Sequence, residues 1–182
     1  MKLGVHSEIG RLRKVIVSRP SLAHERLTPR NCDDLLFDDV IWVEKARIDH
    51  AAFVLKMKDR GVEVFDIQDL LAEVFDRSPE GRAFFLDRRI TGNYVGPMMA
   101  LFLRPWLDEL DGRTLARHML GGLVLDDLPP EIVSEELRGL RAGDEFIVRP
   151  IPNALFQRDP SCWIYGGVTL NPMFWPARKP ET

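Results

Sequence analysis

The sequence predicts an α/β fold interrupted by a helical subdomain, and three observations predict it. Residues 1–72 alternate strand-like and helix-like patterns, residues 73–144 read as short amphipathic helices cut by breakers, and residues 145–182 return to strands. In the first region, Lys14-Val15-Ile16-Val17-Ser18 is a β-branched run stopped by Arg19-Pro20, as a buried strand is. From Trp42 to Arg60, apolar residues fall at Trp42, Val43, Ala46, Phe53, Val54 and Met57 with charges between them. That is helical spacing, and Gly61 suits a C-terminal cap. Val62-Glu63-Val64-Phe65-Asp66-Ile67 then alternates with period two. Strand, helix and strand in succession make one α/β unit.

In the middle region Pro79, Gly92, Pro97, Gly112, Gly121-Gly122 and Pro129-Pro130 punctuate segments such as Arg113–Leu120 and Glu131–Leu140. None alternates, so a helical subdomain is expected over 73–144. The last region offers Glu145–Arg149, Cys162–Tyr165 and Val168–Asn171 as strands, with Gly166-Gly167 as a two-residue hairpin signal. A sheet with so few strands after a helical subdomain reads as unfinished, which predicts a fragment.

Composition narrows the function classes. With 45% hydrophobic and 29% charged residues in 182, the chain is neither disordered nor collagenous. A chain this long buries about 70% of its unfolded surface and needs no covalent staples. Lys+Arg number 25 against 28 Asp+Glu, a balance of −3, too near neutral for a dedicated nucleic-acid binder. Two cysteines without a CxxC spacing exclude a disulfide framework and structural zinc. No apolar run of membrane-spanning length and no signal-peptide pattern at the N-terminus are present, so no membrane partner and a cytoplasmic location are expected.

The chemistry concentrates in a stretch almost without charge. From Pro150 to Ala177 the only charged residues are the neighbours Arg158 and Asp159, set among Phe156, Trp163, Tyr165, Phe174 and Trp175. A carboxylate in apolar surroundings needs a partner. Two readings are open: a structural Arg158–Asp159 pair at a turn begun by Asp159-Pro160, or an aspartate held to bind a cation, a planar guanidinium suiting it by bidentate contact. Asp33, Asp34, Asp38 and Asp39 form an acidic cluster without the ligand order of a calcium loop, which favours a solvated loop and helix start. His6, His24, His50 and His118 lie far apart with no metal spacing, so no metal and no cofactor are expected. Cys32 and Cys162 have no adjacent base in sequence and read as small hydrophobes.

Residues rather than composition then decide. Leu3-Gly4-Val5-His6-Ser7-Glu8-Ile9-Gly10, Leu12-Arg13-Lys14-Val15, Arg26-Leu27-Thr28-Pro29, Asn31-Cys32-Asp33 and Leu35-Leu36-Phe37-Asp38-Asp39 form one set of stretches. Pro152-Asn153, Phe156, Arg158-Asp159, Cys162 through Val168, Asn171-Pro172-Met173 and Trp175-Pro176-Ala177-Arg178 form the second. In these the chain resembles the bacterial arginine deiminases of the guanidino-group-modifying superfamily, over essentially its whole length and least in the helical middle. The resemblance implies the first part of a five-bladed α/β propeller, or pentein, with an inserted helical subdomain. On that plan 1–72 is the first module, 73–144 the insertion and 145–182 the incomplete start of the second. It implies hydrolysis of L-arginine to L-citrulline and ammonia through a cysteine thiouronium intermediate.

By the same resemblance Asp159 is a catalytic aspartate on the guanidinium. Asn153 and Arg178 bind the α-amino-acid end, Phe156 packs on the aliphatic stem, Leu36 lines the pocket and Arg158 stands beside the site. The nucleophile, the proton-transfer histidine and a second aspartate belong to a C-terminal half that this sequence lacks, and neither Cys32 nor Cys162 matches the nucleophile's position. The chain alone is therefore expected to be inactive, and the parent enzyme a homo-oligomer. The alternatives are a non-catalytic arginine-binding or interaction module, or a related amidinotransferase or dihydrolase.

Overall fold

A computed structural model describes residues 4–133 and 145–182. Leu3 of the first matching stretch, positions 134–140 of the Glu131–Leu140 segment and the last residues of the 73–144 region lie outside the described residues. The chain forms two units, Met1–Ile67 with Ile151–Thr182, and Gln68–Pro150.

The first unit is built on the β-branched run. Strand β1 (Lys14–Val17) pairs in parallel with β2 (Glu63–Asp66), Lys14 opposite Glu63 and Val17 opposite Asp66. Parallel strands require a long crossover. This one carries a short helix α1 (Leu22–Glu25), a 3₁₀ turn at Asp33–Leu35 and the helix α2 (Val43–Lys58). Lys14 and Glu63 form an ion pair across the ladder, and the Asp66 carboxylate accepts the Arg19 backbone N–H at 2.9 Å where β1 ends.

Helix α2 closes as Gly61 predicts. Gly61 donates to the Lys58 carbonyl and Val62 to that of Met57, the nested pair of a Schellman motif, with Gly61 at φ +75°. The apolar spacing splits into two faces. Val43, Ala46, His50, Val54 and Met57 are half-buried, whereas Trp42 and Phe53, expected on the same stripe, are exposed beside Ile48 and Leu55. A period of 3.6 carries position 53 away from the stripe through 46, 50, 54 and 57.

The same unit ends in a hairpin of β5 (Ser161–Ile164) and β6 (Gly167–Leu170), antiparallel, with Ile164 opposite Gly167. The turn is therefore Tyr165-Gly166, not the expected Gly166-Gly167. Tyr165 takes φ +51°, a left-handed conformation costly for a side chain with Cβ. Two backbone hydrogen bonds with Val5, at 3.0 and 2.7 Å, hold it there. That bridge brings Gly4 so close that a Cβ on it would stand 2.1 Å from the Tyr165 carbonyl oxygen, so only glycine fits.

The second unit is mainly helical: α3 (Ile67–Arg77), α4 (Pro79–Arg89), α5 (Gly92–Val95), α6 (Pro97–Glu109) and α7 (Gly112–Gly121). Ser78 caps α4 by accepting the Gly81 N–H at 3.0 Å, and Asp111 caps α7 by accepting that of Thr114 at 2.9 Å. The core gathers Phe75, Leu86, Leu103, Leu107, Leu115, Met119, Leu123 and Val148. A two-residue strand β3 (Leu123–Val124) pairs antiparallel with β4 (Phe146–Val148), so the described residues 145–150 pack in this unit. Arg82 donates to the carbonyls of Leu107 and Leu110, satisfying groups that the end of α6 leaves open. Arg89, only 5% exposed, reaches the carbonyl of Arg149 at 2.8 Å and the Tyr94 hydroxyl at 3.2 Å. The fold is thus α/β, with three two-stranded sheets among the described residues, none of them closed.

Candidate functional site

The stretch poor in charge forms a 3₁₀ turn, Pro152–Leu155, followed by Phe156, a loop to Asp159, the β5–β6 hairpin and a return to Arg178. Prolines at 150, 152 and 160 fix φ along the way in and deny the ladder its donors, so the segment turns rather than extends.

Arg158 and Asp159 do not pair with each other. Arg158 points to the N-terminal segment, where its two terminal nitrogens meet the two Glu8 oxygens at 2.9 Å each. That fork holds Glu8 below its ordinary pKa and Arg158 above its own, although both side chains are largely exposed. Asp159 instead accepts from Arg178 Nη1 at 2.6 Å. Asn171 steadies the loop from the far end of the hairpin, its Nδ2 donating to the Asp159 carbonyl at 2.9 Å. The two neighbours sit in a turn and bend ahead of β5, and each finds a partner distant in sequence.

Arg178 is the hub. Its Nε and Nη2 donate to the two Glu181 oxygens at 2.9 and 2.8 Å, its Nη1 to Asp159, and its guanidinium carbon lies 5.6 Å from the centre of the Phe156 ring. The Glu181 fork, then Asp159, raise its pKa against the opposing effect of burial. Its side chain is 13% exposed, that of Asp159 49% and that of Glu181 only 2%. Phe156 is half exposed.

Asn153 is tied to the turn that Leu36 closes. Asn153 is 3% exposed, and its Nδ2 donates to the Leu35 carbonyl at 2.7 Å. Leu36 follows in the left-handed region at φ +63°, closing the 3₁₀ turn, with its side chain partly exposed. The structure thus brings Asp159, Phe156 and Arg178 into one cluster, ties Asn153 to the Leu36 turn, and sends Arg158 to Glu8. Glu8 and Asn171 lie in the matching stretches without a role having been assigned to them. Glu181 was missed, although its place three residues after Arg178 is a pairing distance. Among the described residues no group of three or more His, Cys, Asp or Glu is placed to hold a metal, and no helix is long and apolar enough to cross a membrane.

His24 packs against Phe37, the residue that follows Leu36. It is 3% exposed, accepts the Ser21 N–H at Nδ1 and meets the Phe37 ring edge-on at 5.9 Å. Burial lowers its pKa, Arg47 adds to this, and the backbone at Pro152 and Ser21 and the Glu25 carboxylate oppose without reversing it. An imidazole kept neutral in the fold but protonated in the unfolded chain gives stability that is complete above about pH 6.5 and falls as pH drops toward the lowered folded value. The urea midpoint is expected to fall between about pH 7.5 and about pH 5, and His24→Gln to flatten that slope. An unchanged slope in the variant would show that His24 is not the group responsible.

Fold and cluster together define an α/β protein that gathers two carboxylates, a guanidinium and an aromatic ring at the turn following its hairpin. The family follows from comparison: the family model for arginine deiminase matches residues 33–182, and the chain belongs to the arginine deiminase family.

Proposed function

We propose that this chain supplies the arginine-binding part of an arginine deiminase, which hydrolyses L-arginine to L-citrulline and ammonia. The observation that carries the proposal is the cluster at Asp159: a half-exposed carboxylate, a guanidinium held beside it and an aromatic ring 5.6 Å from that guanidinium, in a chain of this family. Asp159 would receive the substrate guanidinium in place of Arg178 Nη1, since a planar cation with paired donors matches a carboxylate. Arg178 would then take the substrate carboxylate, and Phe156 would lie along the methylene stem. Asn153 would offer its remaining amide N–H and its carbonyl oxygen to the amino-acid end, with Leu36 as an apolar wall.

In the proposed reaction a cysteine thiolate bonds to the guanidinium carbon and ammonia leaves with a proton from a histidine. Water then adds to the thiouronium carbon, the thiolate departs and citrulline is released. Asp159 holds the guanidinium in plane and stabilises its charge during attack. Nucleophile and histidine are assigned to a segment beyond position 182, because neither cysteine of this chain matches the nucleophile's place. The architecture proposed with this is the opening of a five-bladed α/β propeller, with 1–72 as first module, 73–144 as helical insertion and 145–182 beginning the second. A cytoplasmic homo-oligomer is the proposed form of the whole enzyme.

The test is a titration of the ¹⁵N-labelled chain with L-arginine, followed at side-chain N–H signals. The expected affinity is millimolar, on the order of −4 kcal/mol, since a partial site leaves much of the ligand in water. The Arg178 and Asn153 side-chain signals should shift together, saturably and with one dissociation constant.

A further inference from the structure

We infer that Glu181 is a positioning and specificity residue, which holds the Arg178 guanidinium at a fixed place and so selects guanidines that carry a carboxylate. The inference rests on the roles proposed for Asp159 and Arg178 and adds to them a residue to which none was given.

Glu181 ends a one-turn 3₁₀ segment, Lys179–Glu181, at which side chains ordinarily face water. Its own side chain is instead 2% exposed. A carboxylate that loses its water needs charge and hydrogen bonds in return, and both Glu181 oxygens are met by Arg178, through Nε at 2.9 Å and Nη2 at 2.8 Å. The contact fixes the plane of the guanidinium, as a single ion pair would not.

The consequence lies in what Arg178 does with its other edge. Three of its five N–H groups are used, two by Glu181 and one by Asp159. With Glu181 on the Nε–Nη2 edge, Arg178 touches Asp159 through Nη1 alone, at the Oδ2 oxygen. Arg178 thus engages one oxygen of a half-exposed Asp159, and the Glu181 fork sets the direction in which its two remaining N–H groups point. A ligand with a guanidinium at one end and a carboxylate at the other would meet Asp159 with the first and the oriented Arg178 with the second. Without Glu181, Arg178 has a long, rotamer-rich side chain with only Asp159 to bind. It would then compete for Asp159 against every guanidine alike and lose its orientation toward the carboxylate.

The experiment compares L-arginine with agmatine, which is arginine without its carboxylate, on the wild-type chain and on Glu181→Gln. Competition by a released Arg178 weakens both ligands by the same factor, so the ratio of their affinities reports the carboxylate contact alone. The wild type is expected to prefer L-arginine, and Glu181→Gln to cut that preference about tenfold, the worth of one charge-assisted hydrogen bond. A purely structural role would weaken both ligands equally and leave the ratio unchanged, which would overturn the inference while leaving the site intact. A wild type without preference for L-arginine would overturn the role of Arg178 and this inference with it. Should Glu181→Gln fail to fold, hydrogen exchange at Arg178 Nε–H in the wild type decides: slow exchange, kept with agmatine bound, is expected, and exchange at the rate of an exposed arginine contradicts the fork.

Discussion

Asp159→Asn is expected to lower the affinity for L-arginine by about 10- to 100-fold, out of a range that already begins at millimolar. The amide keeps the size of the carboxylate but removes its charge and turns one acceptor into a donor, which faces the guanidinium N–H groups with like polarity. A charge-assisted hydrogen bond is worth about 1.5–3 kcal/mol, and the proposed contact is bidentate. The fold should not follow. Asp159 is 49% exposed, Arg178 keeps its fork to Glu181, and an ion pair open to solvent contributes about 0.2–1 kcal/mol. Arginine titrations on the two proteins, with urea midpoints alongside, check both halves. Equal affinities would make Asp159 a structural partner of Arg178 and nothing more.

The second large effect is an absence of turnover: residues 1–182 alone are expected to release no citrulline from L-arginine. On the proposed reading the groups in the cluster serve to bind and orient, and an aspartate, an arginine, a glutamate and a phenylalanine offer no nucleophile for this attack. Cys32 is 6% exposed with its thiol 3.9 Å from the Pro29 carbonyl, so it is shut away from ligands in solution. Cys162 lies half-buried on β5, opposite Thr169 in the ladder. A guanidinium carbon stabilised by resonance resists bulk water, and general acid–base assistance alone supplies only about 10²–10⁴-fold. A citrulline assay on the purified chain, with Cys32→Ser and Cys162→Ser beside it, is the check. Turnover lost in either serine variant would give this chain its own nucleophile and reassign every role proposed above.

What could be read from sequence follows the range of the interactions. Strand β1, helix α2 with its Gly61 closure, strand β2 and helix α7 rest on periodicity and caps a few residues apart, and such patterns are written locally. The turn at Tyr165-Gly166 was missed because glycine is the cheapest residue at positive φ, so Gly166-Gly167 drew the turn one residue along. What places Tyr165 there is a bridge to Val5, far away in the chain. Strand β3 is two residues long and owes its state to β4, which no window of sequence contains.

The candidate site divides in the same way. The scarcity of charge around Asp159 marked the region, and resemblance supplied names for its residues. The partners are set by folding: Arg158 by Glu8 150 positions away, Asn153 by the Leu35 carbonyl 118 positions away. The adjacent Arg158-Asp159 suggested a pair, and each instead finds a distant partner, Glu8 and Arg178. Glu181 carried a local signal, three residues from Arg178, but a glutamate near the end of a polar stretch looks like any solvated charge until its burial is known.

The central claim is that the Asp159–Arg178 cluster is where a guanidine binds, and the L-arginine titration of the ¹⁵N-labelled chain tests it most directly. The account predicts saturable shifts of the Arg178 Nε–H and Asn153 Nδ2–H signals with a single millimolar constant, and their loss in Asp159→Asn. Shifts confined to other residues, or shifts at the cluster that persist unchanged in Asp159→Asn, would contradict it.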